Sequence, residues 1–478
     1  MKNKFIFFII SLFIALHLID LKNFPLFEDE AMFLLLADEI VKDPINNFFI
    51  FSENGLMPMF GWLVAVFTFL IKDSFLAGRV VNILLASSLI IWVAKFARLY
   101  NLPDNFLYFA SIFLLFSPVL LLNSGVALLD TLVLVFTAWY LYFTINSLNN
   151  PTKFNFTGLF VSLLFAFLTK ATAFFGIPVA VAILMINAKT IKVNKAIYLK
   201  IACIYLLTIL IMAITLWPHF QPILDDSGSS FITNLQLSEI THKIYNNLWL
   251  TLHWFWTYYG HFILILVPII LFFKKLKFTT IYFIALIWLL AAALPMIIFN
   301  RFYFPRHTLL LLFPIVILVS GILSEIPKKI ALIFFGIMLL LRLELSLEIT
   351  QSTNQTEMAL EDKFVYFENY TSGSTLFEIA SFIKDISNSQ LIIVYLDGSY
   401  VMEYGLRRML ENNNNIILRS FRLGDKFLPH APVAVQKTDD KPTFVLVNKW
   451  IPKNIDELKL IQSFDVSFRH SQRLYAVP

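Results

Sequence analysis

The chain of 478 residues is 58% hydrophobic and only 14% charged. Soluble domains carry about 25% charged residues, so the composition excludes a soluble globular protein and reads as a polytopic membrane protein. The formal charge of +5 comes with lysines in short loops between apolar runs, a topology signal rather than a nucleic-acid signal, and a single cysteine, Cys203, excludes an intrachain disulfide.

Met1-Lys2-Asn3-Lys4 precedes an apolar run from Phe5 to about Ile19. No small-x-small cleavage site follows, so the run reads as an uncleaved first span with its lysines in the cytoplasm. A helix crosses the hydrocarbon core with about 20 residues. Further apolar segments fall at 57–71, 76–97, 106–122, 127–146, 155–169, 172–188, 198–217, 259–273, 279–299, 308–324 and 329–346. The basic stretches 189–195 and 274–277, with Lys95, Arg98 and Lys328-Lys329, should face the cytoplasm. All of them do so at once if 57–71, which is short and opens at Pro58, lies at the interface instead of crossing. About eleven transmembrane helices then remain of the twelve candidates. The chain is expected to sit in the cell membrane with its amino terminus inside and its carboxyl terminus outside.

From about residue 347 the composition is that of a soluble domain. Short apolar runs at 391–395, 416–418 and 443–447 read as strands, and 374–386, 399–411 and 454–462 as helices. That alternation predicts a small α/β domain with a largely parallel sheet. The expected organisation is a membrane domain over 1–346, whose external loop 23–75 carries juxtamembrane helices, and an extracytoplasmic accessory α/β domain over 347–478.

The expected external face collects the ionisable residues that invite chemistry. Phe27-Glu28-Asp29-Glu30-Ala31 places three acids directly after the first span. Acids beside a bilayer mark reaction sites, or they open a solvated helix whose dipole favours them. Asp130 sits at the mouth of an apolar span, as a site residue or a helix cap. Lys170, in Leu168-Thr169-Lys170-Ala171, is a lone charge in a long apolar stretch and suits an anionic ligand. Arg301 and Arg306-His307 flank the turn 300–307. Arginine holds phosphate in a fork of donors; the alternative is interfacial anchoring beside Tyr303 and Phe304. In the long loop 218–258, His219, His242 and His253 match no strong metal spacing. No metal ligand is assigned, and a divalent ion is left open.

Together these segments resemble the GT-C superfamily of polyprenyl-phosphate-sugar-dependent glycosyltransferases, in the branch of protein O-mannosyltransferases and the aminoarabinose lipid A transferase. Asp29-Glu30-Ala31-Met32-Phe33 is similar to that branch's Asp-Glu-Ala-x-Tyr pattern in the first external loop. Gly55-Leu56-Met57-Pro58 resembles its juxtamembrane Pro-Pro-Leu helix, and Lys72 through Arg79 the opening of the next span. Ser117-Pro118 through Asp130 resembles its second acidic position, and Leu168-Thr169-Lys170 its Leu-Thr-Lys turn. Pro305-Arg306-His307 resembles its late Arg-Tyr-x-x-Pro segment, with His in place of Tyr. The resemblance covers roughly residues 1–325.

It implies a transferase that moves a sugar from a polyprenyl phosphate donor of the undecaprenyl type to an extracytoplasmic protein, lipid or glycan. Asp29 would be the general base, with Glu30 and Asp130 shaping the surroundings of the acceptor or of the base. Arg79, Lys170, Arg301, Arg306 and His307 would bind the phosphate. The alternatives are a transporter of lipid-linked sugars and a non-catalytic membrane scaffold. Charges gathered at one membrane face, rather than along mid-span positions, disfavour transport.

Overall fold

The structure is a computed structural model, and it describes residues 2–19, 21, 24–190, 194–219, 237–260, 280–299, 304–350, 358–397, 399–420, 441–448, 455–467 and 470–478. The chain divides into two compact units. One is Met1–Leu21 with Ile45–Ala359, and the other is Lys22–Pro44 with Leu360–Pro478. The division is therefore not a single cut near residue 346: the segment that carries Asp29 and Glu30 belongs to the unit of the C-terminal sheet.

The first unit is helical. Helix α1 is Lys2–Leu18; α2, Glu28–Lys42, belongs to the second unit. A short turn of helix, α3 (Ile50–Glu53), leads to α4 (Met59–Ile71). With 13 residues α4 is shorter than a perpendicular crossing requires. Lys72 ends it in the left-handed conformation, and Asp73 then caps α5 (Ser74–Leu99) by accepting from the Leu76 N–H at 3.1 Å.

The expected span 106–122 is two helices, α6 (Asp104–Leu115) and α7 (Pro118–Gly125), bent by 52°. Proline at the first position of α7 cannot continue the ladder of α6 and starts a new helix instead. Next come α8 (Leu129–Asn149), α9 (Lys153–Thr169), a 3-10 turn at Ala171–Phe175, α10 (Gly176–Thr190) and α11 (Lys195–Leu216). Part of the expected loop 218–258 is a helix, α12 (Leu237–Phe255). Its polar and apolar residues alternate at helical spacing, a pattern that length and hydropathy alone do not separate from loop. The unit closes with α13 (Thr280–Phe299), a 3-10 helix Pro305–Leu311 that runs into α14 (Leu312–Glu325), and α15 (Lys328–Thr350). The expected span 259–273 lies outside the described residues, apart from its first two.

Among the described residues five helices are long and apolar enough to cross a membrane, or six with the bent pair counted as one span. Helix α8 is the centre of the unit, packed on α5, α9 and α10. Trp92 of α5 donates to the Ala138 carbonyl of α8 at 2.7 Å. By contrast, α11 leaves Leu199, Leu206, Leu210 and Ile214 exposed, as a lipid-facing helix does.

The second unit has a five-stranded sheet in the order β2-β1-β3-β5-β4. The strands are β1 (Ile392–Leu396), β2 (Ile416–Ser420), β3 (Thr443–Val447), β4 (Lys459–Ser467) and β5 (His470–Val477). The first three are parallel, and β5 and β4 run antiparallel beside β3. The helix expected over 454–462 is instead a 3-10 turn, Ile455–Glu457, running into β4. Local pattern favours a helix there, but pairing with β5 fixes the segment as strand. The helices of this unit are α2, α16 (Leu360–Lys363), α17 (Leu376–Ser387) and α18 (Tyr400–Leu410). Helix α2 packs on α18, and α17 also packs on α18.

Candidate active site

In the first unit Asp130, Lys170 and Arg306 converge from three separate elements. Asp130 lies in the first turn of α8, buried, where the helix dipole favours an acid. Two hydrogen bonds fix the chain entering that turn. The Asn82 amide of α5 donates to the Leu128 carbonyl at 3.0 Å, and the Thr131 hydroxyl donates to the Asn123 carbonyl at 2.9 Å. Lys170 follows the last residue of α9 in extended backbone, where a cation suits the helix C-terminus. Its Nζ donates to Asp130 Oδ1 at 2.8 Å. Arg306 Nε lies 3.9 Å from Asp130 Oδ2, and its guanidinium sits 5.0 Å from the centre of the Phe304 ring.

One carboxylate against two cations leaves the cluster net positive. The side chain of Lys170 is 27% exposed against 10% for Asp130, so the cation is more open to a ligand than the acid that pairs with it. His307 is buried next to Arg306, and its Nδ1 accepts from the Phe304 N–H at 3.1 Å. The turn is braced further by Thr308, which donates to the Pro305 carbonyl at 2.7 Å and accepts at its own carbonyl from the Tyr259 hydroxyl at 3.2 Å.

Arg79 is fully buried in α5. It donates to the Leu21 carbonyl at 2.7 Å and stacks on Phe75 at 4.1 Å. Arg301 lies outside the described residues. Among the described residues no group of three or more His, Cys, Asp or Glu side chains could hold a metal ion. His219 instead stacks on Phe49 at 5.3 Å.

In the second unit Glu28, Asp29 and Glu30 form the first turn of α2. Asp29 is half-buried and Glu30 fully buried. Of the two expectations for these acids, a solvated helix start does not hold for Glu28, which is tied to main-chain donors. Glu28 Oε1 accepts from the Tyr400 N–H at 3.0 Å, and Oε2 from the Val401 N–H at 2.9 Å. These are the first two N–H groups of α18, which have no partner within their own helix. Burial pushes the Glu28 carboxyl up to about 7, against those two donors, which hold it down; Asp397 and Asp29 add to the upward push. No sequence signal pointed from Glu28 to a helix start 372 residues away. The support residues Asn82 and Thr131 were readable only as polar residues within apolar spans.

No family model and no curated protein matches the sequence. Solved structures do. ArnT from Cupriavidus metallidurans in the apo state superposes with a TM-score of 0.61 at 13% identity, covering 99% of this chain and 98% of that one. The same protein bound to undecaprenyl phosphate gives 0.59 at 12% identity, over 100% and 98% of the two chains. A mutant of the arabinofuranosyltransferase AftD from Mycobacteria gives 0.51 at 12% identity, and the match spans 42% of its length. The chain has the fold of these ArnT and AftD structures. Within this fold, the cations Lys170 and Arg306 belong to the helical unit and the acids Asp29 and Glu30 to the unit of the sheet.

Proposed function

We propose that this chain is a membrane glycosyltransferase that moves a sugar from a polyprenyl phosphate of the undecaprenyl type to an acceptor outside the cytoplasm. The acceptor hydroxyl or amine attacks the anomeric carbon while Asp29 takes its proton. The bond from that carbon to the phosphate oxygen breaks, and polyprenyl phosphate leaves as an anion. Lys170 and Arg306 hold the phosphate and stabilise the charge that develops on it. Arg79, Arg301 and His307 are assigned to the same task, and Glu30 to the surroundings of the base. Asp130 orients the two cations.

The observation that carries this reading is the net positive cluster at the ends of apolar helices, Lys170 and Arg306 anchored on Asp130. An anionic head group could sit there while its lipid tail stays among apolar side chains. The fold supports it too, since the similar ArnT structure holds undecaprenyl phosphate.

The test uses the full chain in lipid vesicles with a panel of undecaprenyl-phosphate-linked pentoses and hexoses, and native envelope extract as acceptor. Transfer of label to the extract is expected, lost in Asp29→Asn and weakened in donor KM in Lys170→Ala. Movement of the labelled lipid across the bilayer without transfer would replace the reading with transport.

A further inference from the structure

The C-terminal sheet domain reads as an accessory from its sequence, yet its hydrogen bonds end on the residues that precede Asp29. The Glu28 N–H donates to the Thr371 carbonyl at 3.0 Å, and the Gly373 N–H donates to the Leu26 carbonyl at 2.8 Å. Phe27 forms a bridge with Ser372, and its ring packs on Tyr366 at 5.0 Å between centres. The two carboxylate oxygens of Glu28 then take the N–H groups of Tyr400 and Val401. Gly373 permits the close approach, since a Cβ there would lie 2.9 Å from the Leu26 carbonyl oxygen.

The receiving end is itself built from buried polar groups. Asp397 follows β1 and accepts from the Ser399 N–H at 3.0 Å, the Ser399 hydroxyl at 2.7 Å and the Asn448 N–H at 3.0 Å. Asn448 follows β3, and its amide donates to the Tyr370 carbonyl at 2.9 Å and to Ser399 Oγ at 3.1 Å. Its oxygen lies 3.0 Å from His470 Nε2 and accepts from Gln472 at 3.1 Å. These residues cross-link the carboxyl ends of two adjacent parallel strands, β1 and β3. In open α/β sheets such a strand-order switch is the place where ligands bind. Here the helix start beside it is taken by Glu28 of the same chain.

We propose that Glu28 is a positioning residue: the sheet domain clamps Leu26–Glu28 through the start of α18 and the segment 371–373, and thereby sets the place of Asp29 in the first turn of α2. The inference rests on the reading of Asp29 as the base. A base must be held to within a fraction of an ångström of its proton, and a misplacement of about 1 Å can cost on the order of a hundredfold in rate. Two carboxylate–amide bonds and two main-chain bonds within three residues supply that restraint immediately before Asp29.

The test removes one N–H. Tyr400 opens α18, where proline is tolerated, and Ser399 already has the extended backbone that precedes a proline (φ −67°, ψ 137°). Tyr400→Pro and Tyr400→Ala share the loss of the ring and differ in the donor. In the full chain, hydrogen exchange over residues 26–34 is expected to rise about tenfold in Tyr400→Pro and Glu28→Ala relative to Tyr400→Ala. In Glu28→Ala, exchanging Tyr400→Ala for Tyr400→Pro should add nothing. With the vesicle donor panel, kcat should fall about tenfold in Tyr400→Pro relative to Tyr400→Ala, at unchanged donor KM.

Equal exchange and equal kcat in the two Tyr400 variants would overturn the clamp. Should Tyr400→Pro fail to fold, Glu28→Gln decides. It keeps one acceptor and loses the charge, and wild-type kcat and exchange in that variant would overturn the proposal equally. If exchange rises as expected while Asp29→Asn transfers at the wild-type rate, the base assignment fails and the clamp on the helix remains.

Discussion

Lys170 Nζ and Asp130 Oδ1 lie 2.8 Å apart, so a single ion pair joins the end of α9 to the start of α8. Breaking it from the acid side leaves Lys170 and Arg306 facing each other without the carboxylate between them. Removing one partner of a buried pair costs about 3 kcal/mol, more than the pair is worth against an apolar replacement. Asp130→Asn is therefore expected to destabilise the chain by about that amount in equilibrium unfolding in mixed micelles. Asp130→Asn combined with Lys170→Met should recover at least about 1 kcal/mol of it. Strict additivity of the two substitutions would show that the pair does not couple the helices.

The Glu28 carboxyl, pushed up to about 7 by burial, ties the second unit to pH. The sign follows from linkage. Between the ordinary carboxylate value and about 7 the folded chain holds a proton that the unfolded chain has lost, so stability falls as pH rises through this window. The contribution is fully present below about 4.5 and gone above about 7. Glu28→Gln has no such proton to lose. Its unfolding midpoint should decline less than that of the wild type between pH 5 and pH 8, about the range spanned by the two values. Parallel declines in both proteins would place the pH dependence on groups other than Glu28.

Much of the helical unit was legible because apolar length is a strong signal. The segments expected at 76–97, 127–146, 198–217 and 279–299 are α5, α8, α11 and α13. What hydropathy hides is any break within an apolar run, such as the 52° bend at Ser117-Pro118. Lys170 stood out as a lone charge in an apolar stretch and Arg306 as an arginine flanking the turn 300–307, and the structure brings both to Asp130. The role of Glu28 was not legible, because its partners are main-chain N–H groups that carry no residue identity. The strand β4 was misread for a related reason: its pairing partner β5 decides its state, and that information is not local.

A second buried contact with no motif behind it joins His17 of α1 to Ser124 of α7, with Nε2 and Oγ 2.7 Å apart. The other ring nitrogen bonds the Phe13 carbonyl at 2.8 Å, so the imidazole is satisfied at both ends. Ser124→Ala leaves one ring nitrogen buried without its partner, which costs about 1–3 kcal/mol. His17→Phe in the Ser124→Ala background removes the orphaned group while keeping ring volume. The double variant is expected to unfold later than Ser124→Ala alone. A double variant no more stable than the single would assign the loss to something other than the nitrogen.

Gly176, the first residue of α10, has no room for a side chain. A Cβ there would lie 1.7 Å from the Tyr140 hydroxyl oxygen and 2.7 Å from its Cζ. That hydroxyl donates to the Ala173 carbonyl at 3.0 Å, and the Ala173 N–H in turn donates to the Lys170 carbonyl at 3.0 Å. The glycine thus lets a buried tyrosine of α8 pin the turn that follows Lys170. Gly176→Ala should cost about 1–3 kcal/mol from overpacking, together with the displaced hydrogen bond. Tyr140→Phe should cost only about 1 kcal/mol, the bond alone. Because the clash is mostly with the hydroxyl, Tyr140→Phe placed on Gly176→Ala should restore stability instead of reducing it further. Donor KM, measured with the vesicle panel, should follow the same order if this turn sets the place of Lys170. It should rise in Gly176→Ala and fall back in the double variant. An additive loss of stability, with KM unchanged throughout, would mean that the Tyr140–Ala173 bond does not hold Lys170 in place.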